Sequence, residues 1–231
     1  MQNKEMVDAP ADWTELWGIV GESLLSGVHH ALNNRVAALS AIAQVLRAGL
    51  PDAAPLVASL ASEVRQLEET VALLSLLRRA RTRRPEPVQV HELIGTLPPL
   101  LAQHNDLKEI TFTAASADVL PVWAERDQLT RVLLTLAVAL GLEAERSGCR
   151  RVSIAYRGDD EAVTIRFACN RNGEGTGPAE AQVRRLDARA AAEGVAPMGG
   201  RLEVKTCPGG ELAYELRLPT LLAARKAAGM E

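Results

Sequence analysis

Residues 24–46 read LLSGVHHALNNRVAALSAIAQVL, and their apolar residues recur at three-, four- and seven-residue steps. This spacing places the apolar side chains on one face of an α-helix. The helical pattern extends over residues 12–48, and Gly49, Pro51 and Pro55 then break it. The sequence therefore predicts one long amphipathic helix with the apolar stripe Leu25, Val28, Leu32, Val36, Leu39 and Leu46.

A second helical stretch follows, up to about residue 83. Its apolar stripe is close to a heptad and consists of Leu56, Leu60, Val64, Leu67, Val71 and Leu74. Two long helices joined by a short Gly/Pro turn form a hairpin, which cannot cover both stripes by itself. We expect a homodimer through residues 12–84, paired as a four-helix bundle, in which Trp13 and Trp17 pack at the bundle end. The alternative is that the hairpin packs on the C-terminal part of its own chain.

The remainder of the chain is typical of an α+β domain, so we predict domains at 1–84 and 85–231. Residues 84–87, Arg-Pro-Glu-Pro, are interpreted as a linker. Helices are predicted at 91–104, interrupted near Pro98, at 126–146, at 179–193 and from residue 220. Strands are predicted at 109–114, 120–124, 151–156, 162–168, 201–206 and 212–218, with a glycine-rich loop at 172–177.

Composition excludes several classes of protein. The 231 residues are 47% hydrophobic but only 3% aromatic, which favours packed helices over a β-sandwich. A net charge of −3 argues against nonspecific nucleic-acid binding. The three cysteines are widely spaced without a CxxC pair, which argues against a disulfide framework or a zinc site. With no signal peptide or membrane span recognised, we expect a cytoplasmic protein without a resident metal.

His30 is the candidate catalytic residue on the first helix. With Leu32 at the centre of the stripe, His30 and Asn34 each project about 160° away from it, on opposite sides. A neutral imidazole nitrogen is a good nucleophile near neutral pH and can accept and pass on a phosphoryl group. Asn34, one turn later, can orient a water or the phosphoryl oxygens. The small neighbouring residues predict a partner-docking surface: Ser23, Gly27, Ala37, Ala38 and Ala41.

One other interpretation of this face stays open. The Ala-rich face can instead pack against another part of the protein, where His30 would find its hydrogen-bond partners. His29, beside His30, is interpreted as a boundary residue, and His91 and His104 as surface or cap residues.

Residues 30–36, HALNNRV, resemble the H-box of two-component histidine kinases, usually written HELNNPL. Residues 120–134, LPVWAERDQLTRVLL, are similar to the approach to the family's N-box, and residues 199–219 to its closing β-hairpin. The resemblance covers roughly residues 20–219. It implies a dimerisation and histidine-phosphotransfer hairpin followed by an ATPase-like α/β sandwich domain, with response-regulator receiver domains as partners.

The departures from the family pattern lie where the family binds ATP. Thr135 and Ala139 stand where its N-box has asparagines, and an alanine offers no oxygen ligand to Mg²⁺. Cys169 replaces an adenine-binding aspartate, and Arg171 a glycine. The stretch 181–190, aligned with a phosphate-binding glycine box, has no glycine.

These losses imply a degenerate kinase, or pseudokinase, that needs no cofactor and is similar to dimeric histidine phosphotransferases. The predicted function is phosphoryl transfer between receiver aspartates through His30. The alternatives are a response-regulator-binding phosphatase or scaffold, and an ATP-dependent kinase with an atypical pocket. Ala31 replaces the acidic residue that follows the histidine in kinases, and transfer to or from a receiver does not require that residue.

Overall fold

The computed structural model describes residues 12–48, 54–77, 84–115, 117–169, 188–206, 212–227 and 229. It begins with a helical hairpin of α1 (Trp13–Arg47) and α2 (Ala54–Leu77), which pack against each other. Asp12 caps α1, because its carboxylate accepts a hydrogen bond of 2.9 Å from the Glu15 amide. Arg35 of α1 forms an ion pair of 3.1 Å with Glu63 of α2. The predicted hairpin is confirmed.

The rest of the chain is a mixed α/β domain. In chain order its elements are β1 (Glu86–Val88), α3 (Val90–Leu101), β2 (Thr111–Ala114), β3 (Val122–Ala124), α4 (Arg126–Arg146), β4 (Arg151–Gly158), β5 (Ala162–Cys169), α5 (Ala188–Val195), β6 (Arg201–Thr206), β7 (Leu212–Pro219) and α6 (Leu221–Ala227). Short 3₁₀ turns lie at Asn105–Leu107 and Ala196–Met198.

Two sheets organise this domain. The larger has the strand order β2-β4-β5-β7-β6, in which only the β2–β4 pair is parallel. Alternate residues of β4, namely Val152, Ile154 and Tyr156, are buried, as expected for a strand with one covered face. Helix α4 lies against β4, β5 and β7, and α3 packs on α4. The predicted fold, a helical hairpin followed by an α/β sandwich domain, is confirmed.

Two local predictions are wrong. Helix α3 continues through Pro98 and Pro99 to Leu101, because its buried side chains, including Leu97 and Leu100, hold it on the core despite the missing proline donors. The predicted linker at 84–87 contains most of β1, which pairs antiparallel with β3. The glycine-rich loop at 172–177 and the start of the predicted helix 179–193 lie outside the described residues.

The first half of α1 packs on the C-terminal domain of its own chain, which was the alternative to pairing with a second copy. Its buried residues face α3, α4 and α5: Leu16, Val20, Gly21, Leu24, Gly27 and Val28. Trp13 lies directly over Gly194, whose added Cβ would be 2.6 Å from the indole, and the Arg131 guanidinium lies 5.6 Å from the Trp17 ring centroid. Both tryptophans thus contact the C-terminal domain, and the bundle at whose end they were expected stays a prediction.

The hairpin also leaves apolar side chains exposed. Six of them lie on its two helices, with exposed fractions between 41% and 54%: Ile19, Leu25, Val36, Val57, Val64 and Val71. The homodimer and the domain boundary after residue 84 stay predictions. Within the described part of the chain, none of the helices has the length and apolarity needed to cross a bilayer.

Candidate functional site

His30 is exposed on α1, shortly after the buried residues Gly27 and Val28. The Asn34 side chain lies one turn further, with its amide Nδ2 3.3 Å from His30 Nε2. Because the amide nitrogen donates, Nε2 is the ring nitrogen with the lone pair, and the ring proton is on Nδ1. This places the Nε2 lone pair of His30 and the amide donor of Asn34 side by side on the exposed face of α1.

His29 and Asn33 repeat this arrangement, with their side chains 3.5 Å apart and both exposed. The two histidines differ in their surroundings. His30 borders a groove of about 290 Å³, whereas His29 is not among its lining residues.

This groove, called the His30 groove below, lies between α1 and the segment that follows α3. Six of its nine lining residues carry polar or charged side chains. The lining residues are Gly27, His30, Ala31, Asn34 and Arg35 of α1, and Ala102, Gln103, Asn105 and Lys108 of the C-terminal domain. Only the α1 wall was predictable from the sequence, because no local pattern marks the residues opposite.

Two contacts fix the walls of the groove. At Gly27, an added Cβ would lie 2.0 Å from the Gln103 carbonyl oxygen, so only glycine permits this approach. One turn earlier, the Ser23 hydroxyl lies 2.6 Å from His104 Nε2. His104 Nδ1 accepts a hydrogen bond of 3.2 Å from the Asp106 amide, so its proton is on Nε2 and is donated to Ser23.

His104 is buried and caps the 3₁₀ turn Asn105–Leu107. Burial lowers the pKa of its imidazole, and the nearby negative charge of Asp106 opposes that shift without cancelling it. A neutral ring suits the two hydrogen bonds, because a protonated Nδ1 could not accept from the Asp106 amide. Of the two positions expected for His104, surface or cap, the structure has the cap, in a place that α1 covers.

The predicted partner-docking residues divide into two groups. Ser23 and Gly27 contact the chain's own C-terminal domain, so the open surface is shorter than the sequence indicated. Ala37 and Ala41 are exposed, and Ala38 is half-buried. An open small-residue surface therefore continues along α1 only on the C-terminal side of His30.

The residues of the predicted degenerate nucleotide pocket lie in or beside the core. Thr135 of α4 is fully buried, and its hydroxyl has no hydrogen-bond partner among the described residues. Cys169, at the end of β5, is 3% exposed, and Ala139 of α4 is half-buried against the same core. Arg171 lies outside the described residues. The side chain of Ala139 has no oxygen atom, and the hydroxyl of Thr135 is buried.

A second, larger groove lies at the opposite end of β5, where that strand begins. It has a volume of about 860 Å³ and includes Asp160, Glu161, Arg201, Arg217 and Lys226 among its lining residues. Basic and acidic side chains are mixed there, so the groove has no single charge preference. Among the residues that the structure describes, no group of three or more His, Cys, Asp or Glu side chains could hold a metal ion.

No protein-family model and no curated protein matches the chain. It is similar to the Acinetobacter baumannii histidine kinase AdeS, with a TM-score of 0.45 and 16% identity over 83% of this chain and 98% of that one. It is also similar to the ATP binding domain of PrrB from Mycobacterium tuberculosis, with a TM-score of 0.45 and 18% identity over 59% of this chain and 97% of that one.

Proposed function

We propose that this chain is a histidine phosphotransfer protein of a two-component phosphorelay. His30 accepts a phosphoryl group from the aspartate of one receiver domain and passes it to the aspartate of another. The observation that carries the proposal is the exposed His30 ring, whose Nε2 lone pair faces the Asn34 amide 3.3 Å away. The H-box resemblance of residues 30–36 points to the same reaction.

The chemistry needs only groups that the two proteins contain. The Asn34 amide first turns away from Nε2, and the freed lone pair of Nε2 then attacks the phosphorus of the donor's aspartyl phosphate. The Nε2–P bond forms as the P–O bond to the aspartate breaks, and the carboxylate leaves with the bonding electron pair. The phosphoimidazolium can release its Nδ1 proton to water. Onward transfer to the second aspartate is the reverse reaction.

Asn34 has a role before and after transfer. Before transfer its amide donates to Nε2, which keeps the lone pair on that nitrogen. Once Nε2 bears the phosphoryl group, the same amide donor is within reach of the new phosphoryl oxygens. Asn34 therefore acts as a positioning residue for the phosphorylated ring.

ATP binding is not part of the proposed function. The position that would hold Mg²⁺ in the related kinases is Ala139, which has no ligand oxygen. Cys169 presents a buried thiol instead of a carboxylate for the adenine amino group. These substitutions support a domain that has lost nucleotide chemistry while the histidine remains.

The exposed apolar residues of the hairpin support a homodimer. Val36, Val57, Val64 and Val71 project from the two helices with 41% to 54% of their surface exposed. Burying them against a second copy gains free energy in proportion to the apolar area removed from water.

The proposed function is tested by incubating the chain with receiver domains that carry ³²P on their aspartate. Alkali-stable label is expected on the wild type and on His29→Ala, and none on His30→Ala. His29→Ala is the matched control, because His29 has the same i+4 asparagine contact and does not border the groove. Label on His30→Ala equal to the wild type would refute the proposal.

A phosphatase that binds response regulators is the second candidate, favoured by the Asn34 amide, which can also position a water molecule. In that case label would leave the receiver as free phosphate without passing through the chain. Asn34→Ala would then abolish phosphate release, whereas His30→Ala would still release phosphate.

A further inference from the structure

The His30 groove has the composition of an anion site. Six of its nine lining residues carry polar or cationic side chains, and none of the nine is a carboxylate. A phosphoryl group bonded to a histidine is a dianion at neutral pH, and desolvating it requires cations or hydrogen-bond donors close by. We propose, on the basis of the proposed function, that this groove holds the phosphoryl group of phospho-His30 and that Lys108 of the C-terminal domain is its charge partner.

The choice of Lys108 follows from the pairing of the two cations in the groove. Arg35 already forms an ion pair with Glu63 at 3.1 Å, which neutralises much of its charge. Lys108 is exposed, and no carboxylate lies within 4.0 Å of its ammonium in the part of the chain that the structure describes. Its flexible stem and three donors suit a phosphoryl group that arrives and leaves.

The backbone that carries Lys108 is held in place. Lys108 directly follows the 3₁₀ turn Asn105–Leu107, whose Leu107 is 1% exposed and whose cap is His104. The Ser23–His104 hydrogen bond and the Gly27–Gln103 contact fix this turn against α1. The C-terminal domain therefore supplies one wall of the phosphoryl site, a role that does not depend on ATP.

The groove is also of suitable size. A volume of about 290 Å³ accommodates a phosphoryl group together with several water molecules. The open side leaves a path by which a receiver aspartate can reach the phosphorus. Gln103 and Asn105, on the same wall as Lys108, add side-chain amide donors.

The test uses the chain of 231 residues and phosphoramidate, a small phosphodonor that needs no receiver domain. In Lys108→Ala we expect His30 to be labelled about tenfold more slowly, because one charge-assisted contact to the oxygens of the incoming phosphoryl group is lost. Lys108→Arg should recover most of the rate. Lys226→Ala, which removes a lysine from the other groove, should behave as the wild type. Thermal melts of all variants should agree within about 2 °C, since an exposed lysine contributes little to stability.

A second measurement separates this inference from the proposed function. Inorganic phosphate should shift the NMR signals of the His30 ring in the wild type and shift them much less in Lys108→Ala. If the wild type binds phosphate in this way but is never phosphorylated, the proposed function fails and the anion site stands. If Lys108→Ala is labelled and responds to phosphate like the wild type, the role of Lys108 is refuted while the proposed function stands.

Discussion

Replacing Gly27 by alanine tests how α1 is held against the C-terminal domain. The added Cβ would lie 2.0 Å from the Gln103 carbonyl oxygen and 2.8 Å from its carbon, so α1 must move away by more than 1 Å. Overpacking of this kind costs about 1–3 kcal/mol. The same movement weakens the 2.6 Å Ser23–His104 hydrogen bond, which adds about 1 kcal/mol.

The higher helix propensity of alanine opposes these losses of stability. Alanine favours a helix interior over glycine by about 1 kcal/mol. The expected net change for Gly27→Ala is thus a loss of about 1–3 kcal/mol in the free energy of unfolding, or a fall in Tm of roughly 2–12 °C for a chain of this size.

Gly18→Ala is the matched control on the same helix. Gly18 is exposed and an added Cβ meets nothing within 4 Å, so only the helix term applies and Tm should rise by a few degrees. Both variants are compared by calorimetry and by urea unfolding. A Gly27→Ala protein as stable as Gly18→Ala would refute the close packing of α1 on Gln103, and with it the shape of the His30 groove.

Four further predictions concern other parts of the molecule. Burial holds the pKa of His104 below the ordinary 6.5, so below about pH 6.5 the unfolded chain binds a proton that the folded chain does not. The free energy of unfolding should therefore fall as the pH drops below about 6.5. The His104→Gln variant should lose this dependence in urea titrations. Thr135→Val should be neutral or stabilising by about 1 kcal/mol, because it removes a buried hydroxyl without a partner among the described residues. Thr135→Ser keeps the hydroxyl and loses the methyl group, so it should destabilise the protein. A destabilised Thr135→Val would mean that the hydroxyl is hydrogen-bonded. Val64→Lys, in the exposed stripe of the hairpin, should give monomers by sedimentation equilibrium, and Val204→Lys, equally exposed on β6, should not; unchanged dimers in both would place the interface elsewhere. Mg-ATP should leave Tm unchanged in a thermal-shift assay, and a rise of several degrees would support the atypical-kinase alternative.

Much of the fold was predictable because its signals are local. Helix α4 begins at Arg126 and ends at Arg146, the bounds that its apolar periodicity predicted. The hairpin of β6 and β7 was likewise predicted to within one residue, since alternation and turn residues mark both strands. Strand β1 was missed because it has three residues, one of them Pro87, and its identity depends on pairing with β3.

The candidate site was predictable only in part, because local sequence patterns indicate only one of its two walls. Helical geometry alone places His30 and Asn34 on the face opposite the apolar stripe, and the structure has both exposed. The opposite wall depends on tertiary contacts between residues far apart in the chain, such as Ser23 and His104, which are separated by 81 positions. Gly27 was recognised as a small residue, but its sequence context does not reveal whether a partner or the chain itself approaches it.

The most direct test is to locate the phosphoryl group after the chain has been incubated with the phosphorylated receiver domains of its own cell. Tandem mass spectrometry under alkaline conditions identifies the modified histidine among the four in the chain. A single phosphoryl group on His30 is the predicted result. Phosphorylation of His29, His91 or His104 instead, or a receiver that keeps its label while His30 stays unmodified, would contradict a phosphorelay through His30.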